Sequence, residues 1–383
     1  MAEGFSSPMA AERTPLAAIL LERIRASGPL TFAEFMEACL YHPEHGYYSR
    51  PETQRFGDYY TSPDVHPVFG RLVARQLAEM WEHLGRPGEF LAVEGGAGGG
   101  RLAAQILDFA ERALPEFFSA LRYVAVEACA ARREAQGQAI GRHLDSGRAE
   151  SRGDLPERIQ AGCVFSNELL DALPVHRVVG GPEGLQEIRV GAQDGWFAEV
   201  MAAAPSPRVA AYFERQGARF AEGQQAEAAL AACDWIVEAG RRLERGFVLT
   251  IDYGHEAPEL YNHHHLRGTL VAYRDHRVSE DYYAAPGWQD LTAHVSFTAL
   301  DLWGHDGGLE RTGLASQTRF LLSLGRSNDF ADIYDEGQTE VERLRARLLW
   351  KTLIYPEGMG ETFRVFIQSK GVDGARLTGL AEL

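Results

Sequence analysis

Phe90-Leu91-Ala92-Val93-Glu94-Gly95-Gly96-Ala97-Gly98-Gly99-Gly100 decides how the rest of the chain is read. The run from Phe90 to Val93 is short and wholly apolar, as a parallel strand covered on both faces is. Glu94 ends it, and glycines surround Ala97. From Arg101 to Leu107 apolar residues return at helical spacing. Strand, glycine turn and helix open a nucleotide-binding βαβ unit. Glycine is needed there because the backbone must turn sharply and let a ligand approach where a Cβ would clash.

The loop discriminates among ligands. A dinucleotide site asks for G-x-G-x-x-G with the pyrophosphate on the helix N-terminus. Gly96 and Gly98 begin such a pattern, but Arg101 stands where its last glycine belongs. An acid beside the turn suits a ligand with an amino group better than one with phosphates. Glu94-x-Gly96-x-Gly98-x-Gly100 resembles the first motif of class I S-adenosylmethionine (SAM) methyltransferases, whose loop packs under the methionine moiety. A glycine-rich loop with no ligand, and an NAD-dependent oxidoreductase, stay open at this point.

The following strands place further polar groups at the same sheet edge. Leu121 to Glu127 reads as the second strand, ending in an acid about thirty residues after Glu94; an acid there accepts hydrogen bonds from ribose hydroxyls. Asp154 follows the third strand and is expected near an adenine. Gly162 to Ser166 is the fourth strand and delivers Asn167-Glu168-Leu169-Leu170-Asp171-Ala172-Leu173-Pro174. Two acids and an amide just past a buried strand are where a transferase would hold its acceptor. The competing reading is a helix cap, with Asn167 at N-cap and Glu168 in the first turn. Gly246 to Gly254 is the fifth core strand.

Outside this core, Thr14 to Ala26 and the segment from Phe32, opened by a Thr31/Glu34 capping box, read as amphipathic helices. Two aromatic loops follow, Tyr41 to Tyr48 and Phe56 to Pro63; Asp58 and Tyr60 are expected to close over a cofactor, whereas Tyr47 and Tyr48 read equally well as packed loop residues. Val68 to Leu84 is a long helix. Val175 to Met201 reads as hairpin strands, and Ala202 to Arg245 as a helical lobe. No metal is expected: His42, His45 and His66 lack a carboxylate-rich cluster, and His263 to His265 read as a solvated tract.

Bulk properties set the limits. The chain has 383 residues, 45% hydrophobic and 24% charged, the composition of an ordinary globular protein. Lys and Arg number 38 against 54 Asp and Glu, a net charge of −16, which argues against a general nucleic-acid binder. The cysteines at 39, 129, 163 and 233 make no C-x-x-C pair and read as thiols in a reducing compartment. No apolar run is long enough to span a membrane. The N-terminus has neither a signal-peptide pattern nor an Arg-rich presequence, so a bacterial cytoplasmic setting is expected.

Several stretches taken together resemble one family. They are Tyr41 to Tyr48 (YHPEHGYY), Gly57 to Gly70 (GDYYTSPDVHPVFG), Glu94 to Gly100, Asn167 to Val175 (NELLDALPV), Ile251 to Gly254 (IDYG), Gly268 to Leu270 (GTL), Pro286 to Phe297 (PGWQDLTAHVSF) and Gln317 to Gly325 (QTRFLLSLG). The chain is similar to the MidA-like family of class I methyltransferases, whose mitochondrial members are complex I assembly factors that methylate a protein arginine. The family's usual glycine loop has Pro where Ala97 stands.

The resemblance implies an α/β fold: a Rossmann-like class I methyltransferase core (89–179 and 246–383), an N-terminal helical lid (1–88) and a hairpin and helical insertion (180–245). It implies SAM as cofactor, held by Glu94, Gly96, Gly98, Gly100, Glu127, Asp154, Asp58 and Tyr60. It also implies a protein arginine as acceptor, on a target like a respiratory complex I subunit. Glu168 is expected to grip the guanidinium, with Asn167 and Asp171 in support and His294 as a candidate proton acceptor. The expected partner is a protein presenting arginine, with no nucleic acid and no membrane insertion; a homodimer is left open. A small-molecule N- or O-methyltransferase and a non-catalytic SAM-binding assembly factor are the competing functions.

Overall fold

A computed structural model describes residues 12–49, 61–275, 277–335, 337–355 and 359–382. Asp58 and Tyr60 lie outside the described residues. The chain divides into two units. One comprises residues 60–169, 236–253 and 303–383, and the other 1–59, 170–235 and 254–302.

The first of these holds the central sheet. Its strands are β1 (Phe90–Gly95), β2 (Leu121–Val126), β3 (Ala149–Arg152), β4 (Gly162–Asn167), β5 (Gly246–His255), β6 (Glu310–Ser316) and β7 (Phe363–Lys370). Their order across the sheet is β3-β2-β1-β4-β5-β7-β6. The five strands from β3 to β5 are parallel, and β7 and β6 then add antiparallel. The apolar runs seen in the sequence are buried as a parallel sheet requires: Phe90, Ala92 and Val93 on β1, Cys163 to Phe165 on β4 and Phe247 to Leu249 on β5 are at most 1% exposed. The helices Val68–His83 and Arg101–Ala113 set Phe69, Leu72, Leu77, Leu102, Ile106 and Phe109 into the same core. Phe117 meets Phe90 edge-on at 5.6 Å, and Phe165 meets Tyr123 at 6.0 Å.

The topology fixes where a ligand can bind. The chain goes from β1 outward to β2 and β3, then returns to β4 on the other side of β1. The reversal opens a crevice at the carboxyl ends of β1 and β4, where ligands of open α/β sheets bind.

The second unit is built on antiparallel strands. Leu30–Thr31, Gly184–Gln193, His176–Gly181 and Gln225–Ala228 pair in that order, with Trp196–Ala202 on Gly184–Gln193. A smaller sheet pairs Val271–Arg274 with Arg277–Ser279 and Asp290–Thr292. The helices Pro15–Ser27 and Phe32–Tyr41 start on Thr14 and on the expected Thr31/Glu34 capping box. Arg177 is buried on its strand, 3% exposed, with its guanidinium 4.9 Å from the Tyr282 ring centroid and 5.2 Å from that of Phe32. Its nitrogens donate to Glu199 and, at 2.7 Å, to Gln225 Oε1.

Three regions differ from the sequence reading. Residues 202–245 are not purely helical: Gln225–Ala228 is a strand that completes the hairpin sheet, between the helices Pro207–Arg215 and Leu230–Arg242. Its alternation is masked by Ala and Glu, which favour helix by propensity; pairing to His176–Val179 overrides it. Residues 254–302, expected with the core, group with the antiparallel unit, and the helix Val68–His83, expected in the lid, packs in the core of the parallel unit.

Removing Arg177 takes the charged donor from Glu199, leaving it the Tyr283 hydroxyl, takes a donor from Gln225 Oε1, and opens a gap beneath two rings. Arg177→Ala is expected to cost about 3 kcal/mol in urea unfolding, and Arg177→Met, which refills the volume without a charge, clearly less. Equal losses in the two variants would show that the charge network does not hold this sheet together.

Candidate active site

The loop after β1 is shaped by three left-handed glycines: φ is +69° at Gly96, +53° at Gly98 and +84° at Gly100, the residue before the helix Arg101–Ala113. At Gly96 the requirement is double, because an added Cβ would also lie 2.9 Å from Leu169 Cδ1. Ala97 donates its N–H to Val126 O at 2.9 Å, and Gln136 Nε2 donates to Gly98 O at 3.0 Å. Ser151 Oγ in turn donates to Gln136 Oε1 at 2.5 Å, so β2, β3 and the helix Ala130–Asp145 all brace this one turn.

The two acids at strand ends sit in different surroundings. Glu94 is 4% exposed and accepts the Tyr123 hydroxyl at 2.6 Å. Burial, and then the Glu94 charge, push the Tyr123 phenol well above its ordinary value, so it remains a donor at every physiological pH. Glu127 is half-buried; its Oε2 accepts the Gly98 N–H at 2.9 Å and its Oε1 the Cys129 N–H at 2.9 Å. Each oxygen keeps a second lone pair. Glu127 therefore pins the glycine loop and still has acceptor capacity for vicinal hydroxyls. Asp154 lies exposed in the bend after β3.

Asn167 ends β4, and no helix follows, so the cap reading is not realised. Glu168 instead adopts φ +52°, a left-handed conformation unusual for a residue with a side chain. Its N–H donates to Ile251 O at 2.9 Å. Its Oε1 accepts Ser62 N–H at 3.1 Å and Asn167 Nδ2 at 2.9 Å. The Asn167 Oδ1 is buried and has no hydrogen-bond partner among the described residues. Ser62 follows Thr61, which caps the turn Ser62–Val65 through Asp64; Asp64 also lies 3.0 Å from Arg101 Nε, next to Gly100. A strained acid fixed from three sides at the switch-point edge is the geometry of a functional residue. Ser62 was not singled out from the sequence, although its T-x-x-D capping signature is legible there.

Asp171 and His294 belong to the antiparallel unit. There several of the quoted stretches converge. Tyr41 Oη donates to Ala172 O at 2.9 Å, Ala293 N–H to Asp171 O at 3.0 Å, and Tyr48 Oη to Asp290 at 3.0 Å. Tyr47 is buried beside it. Tyr48 is thus a packed and hydrogen-bonded loop residue. His294 donates its backbone N–H to Thr269 Oγ1 at 3.0 Å, and Thr269 is held by buried Glu227. Burial, with His255 and His265 adding to it, lowers the His294 imidazole to about 3. A ring so depressed is a poor proton acceptor near neutral pH. His265, expected in solvent, is instead half-buried with these two histidines.

The sequence matches the profile of a family described as "Putative S-adenosyl-L-methionine-dependent methyltransferase" over residues 72–315. This chain belongs to that methyltransferase family. A Burkholderia thailandensis protein crystallised with S-adenosyl-homocysteine is 31% identical, covers 99% of this chain and 98% of its own, and superposes with a TM-score of 0.85. A mitochondrial protein arginine methyltransferase from Drosophila melanogaster, an NDUFAF7 homolog, is 27% identical over 94% of this chain and 86% of its own. Its human counterpart is 27% identical over 92% and 83%. The protein is a SAM-dependent methyltransferase with the Rossmann-like class I core expected of it. The site fits the cofactor: three left-handed glycines turn the backbone tightly at the strand end, and Glu94 and Glu127 beside that turn would offer carboxylates to its amino and hydroxyl groups. When bound, SAM supplies an electrophilic methyl group on a sulfonium.

Gly96→Ala forces a Cβ toward Leu169 and strains the turn by about 1–3 kcal/mol. Isothermal titration with S-adenosyl-homocysteine should then show an affinity about tenfold weaker or more. Unchanged affinity would mean that the cofactor does not approach this glycine.

Proposed function

We propose that this methyltransferase modifies an arginine side chain of a protein, on a target of the respiratory complex I subunit type. The observation that carries the reading is Glu168, held at φ +52° with its carboxylate anchored by Ser62 and Asn167 at the edge of β4. Support comes from relatives named protein arginine methyltransferases that align over more than nine-tenths of the chain.

A guanidinium is a poor nucleophile, since its lone pairs are delocalised and its pKa exceeds about 12. It needs a partner that draws positive charge toward some of its nitrogens and leaves another free to attack. A fixed carboxylate does this through charge-assisted hydrogen bonds. Glu168 Oε1 takes Ser62 N–H and Asn167 Nδ2, which hold the carboxylate in the position from which it would meet the guanidinium. The Asn167 Oδ1 supplies a second acceptor on the same edge. Because backbone strain and hydrogen bonds fix these groups beforehand, little reorganisation is required when the acceptor arrives. Although the named relatives are mitochondrial, the setting proposed for this chain is the bacterial cytoplasm.

Glu168→Gln keeps shape and hydrogen bonding but removes the charge. It should bind S-adenosyl-homocysteine within about threefold of wild type while methyl transfer to arginine-containing peptides, followed with tritiated SAM, falls about 100-fold or more. Undiminished transfer in this variant, or label found on lysine instead of arginine, would overturn the assignment.

A further inference from the structure

His255, His265 and His294 come from the end of β5, the connection after it and the loop before the two-residue strand Val295–Ser296. One ring nitrogen from each lies within 4.8 Å of the other two, and the ring centroids stand 5.4, 5.4 and 6.2 Å apart. Their neighbours orient them. His265 Nδ1 lies 3.0 Å from Leu260 O and 3.2 Å from Glu259 O. A carbonyl can only accept, so this nitrogen carries the proton and the lone pair is on Nε2. His255 Nδ1 stands 3.1 Å from Glu259 Oε2, near enough for the carboxylate charge to act on the ring. Carboxylate and carbonyl partners on the far nitrogen are the usual outer shell of metal-binding histidines. His294 sits on the loop that Thr269 and Glu227 secure.

We infer that His255, His265 and His294 form a binding site for a divalent transition-metal ion, zinc foremost. Imidazole suits zinc, and three histidines with one position left open is a common zinc arrangement. All three residues are of intermediate burial. Packed core histidines are the plainer reading. That reading does not explain why three imidazoles from separate segments gather with a ring nitrogen of each within 4.8 Å of the other two.

The test uses the full, untagged chain, stripped with EDTA and loaded with ZnCl2 or CoCl2. Wild type should retain about one zinc per chain by mass spectrometry of metal content, and cobalt should give the visible d–d bands of a low-coordinate site. His265→Ala should lose both while keeping its thermal midpoint and its affinity for S-adenosyl-homocysteine. His264→Ala should retain both, since His264 stacks on His263 and is not among the three clustered histidines. Glu259→Gln, at an exposed position, should weaken zinc binding by about 10–100-fold. Zinc retention by wild type no greater than by His265→Ala, or no effect of Glu259→Gln, would overturn the site.

Discussion

The pairing of β1 between β2 and β4 is the constraint on which the active site depends. Parallel strands force each connection to cross the sheet face, so their carboxyl ends all open at one edge. Because β1 has its successor on one side and β4 on the other, the connections on its two sides run in opposite directions across the sheet, which places its glycine turn at the switch point. Every polar group assigned to the cofactor in the parallel unit, from Glu94 to Glu127, stands within a residue or two of a strand end on that edge. The burial of Phe90, Cys163, Phe165 and Phe247 is what holds those strand ends in register.

Glu94 and Glu127 show how one edge gives two acids different tasks. Glu94 is buried and faces a phenol whose pKa burial and the Glu94 charge push well up. Glu127 remains half-buried and spends one lone pair of each oxygen on backbone amides. Gly98, whose amide it accepts, is thereby fixed before any ligand arrives. The glycine loop is often regarded as a flexible element, but here Glu127, Val126 and Gln136 each hold a different backbone group of it. Pre-organisation of this kind lowers the ordering cost of binding.

Much of this was legible in the sequence, and the reasons are local. Apolar runs ending at Glu94, Glu127 and Asn167 define parallel strands because such strands are buried on both faces. The glycine spacing and the Thr31/Glu34 box act within a few residues. What was not legible depends on partners far along the chain. The strand Gln225–Ala228 is built from helix-favouring residues and exists because His176–Val179 lies beside it. The left-handed backbone at Glu168 follows from its N–H reaching Ile251 and its carboxylate reaching Ser62, neither of which is predictable from NELLD alone. Likewise His255, His265 and His294 are separated by intervals that match no ligand motif, and only the fold of the antiparallel unit gathers them.

That unit also shows why polar residues can fill an interior without destabilising it. Glu227 is wholly buried, which raises its carboxyl pKa, yet it accepts the Thr269 amide and hydroxyl and lies where any side chain at Gly268 would stand. Arg177 is stacked between rings and tied to Glu199 and Gln225. Each of these groups would be costly if it lacked a partner. Glu227 Oε1 and Arg177 Nε have no hydrogen-bond partner among the described residues, but through their other atoms these groups fix loops that apolar packing alone would leave free to slide, because hydrogen bonds carry direction and dispersion contacts do not. The Glu227–Thr269–His294 chain is the clearest case: a buried acid sets a threonine, the threonine sets the backbone at His294, and so the position of a loop is specified from the interior outward.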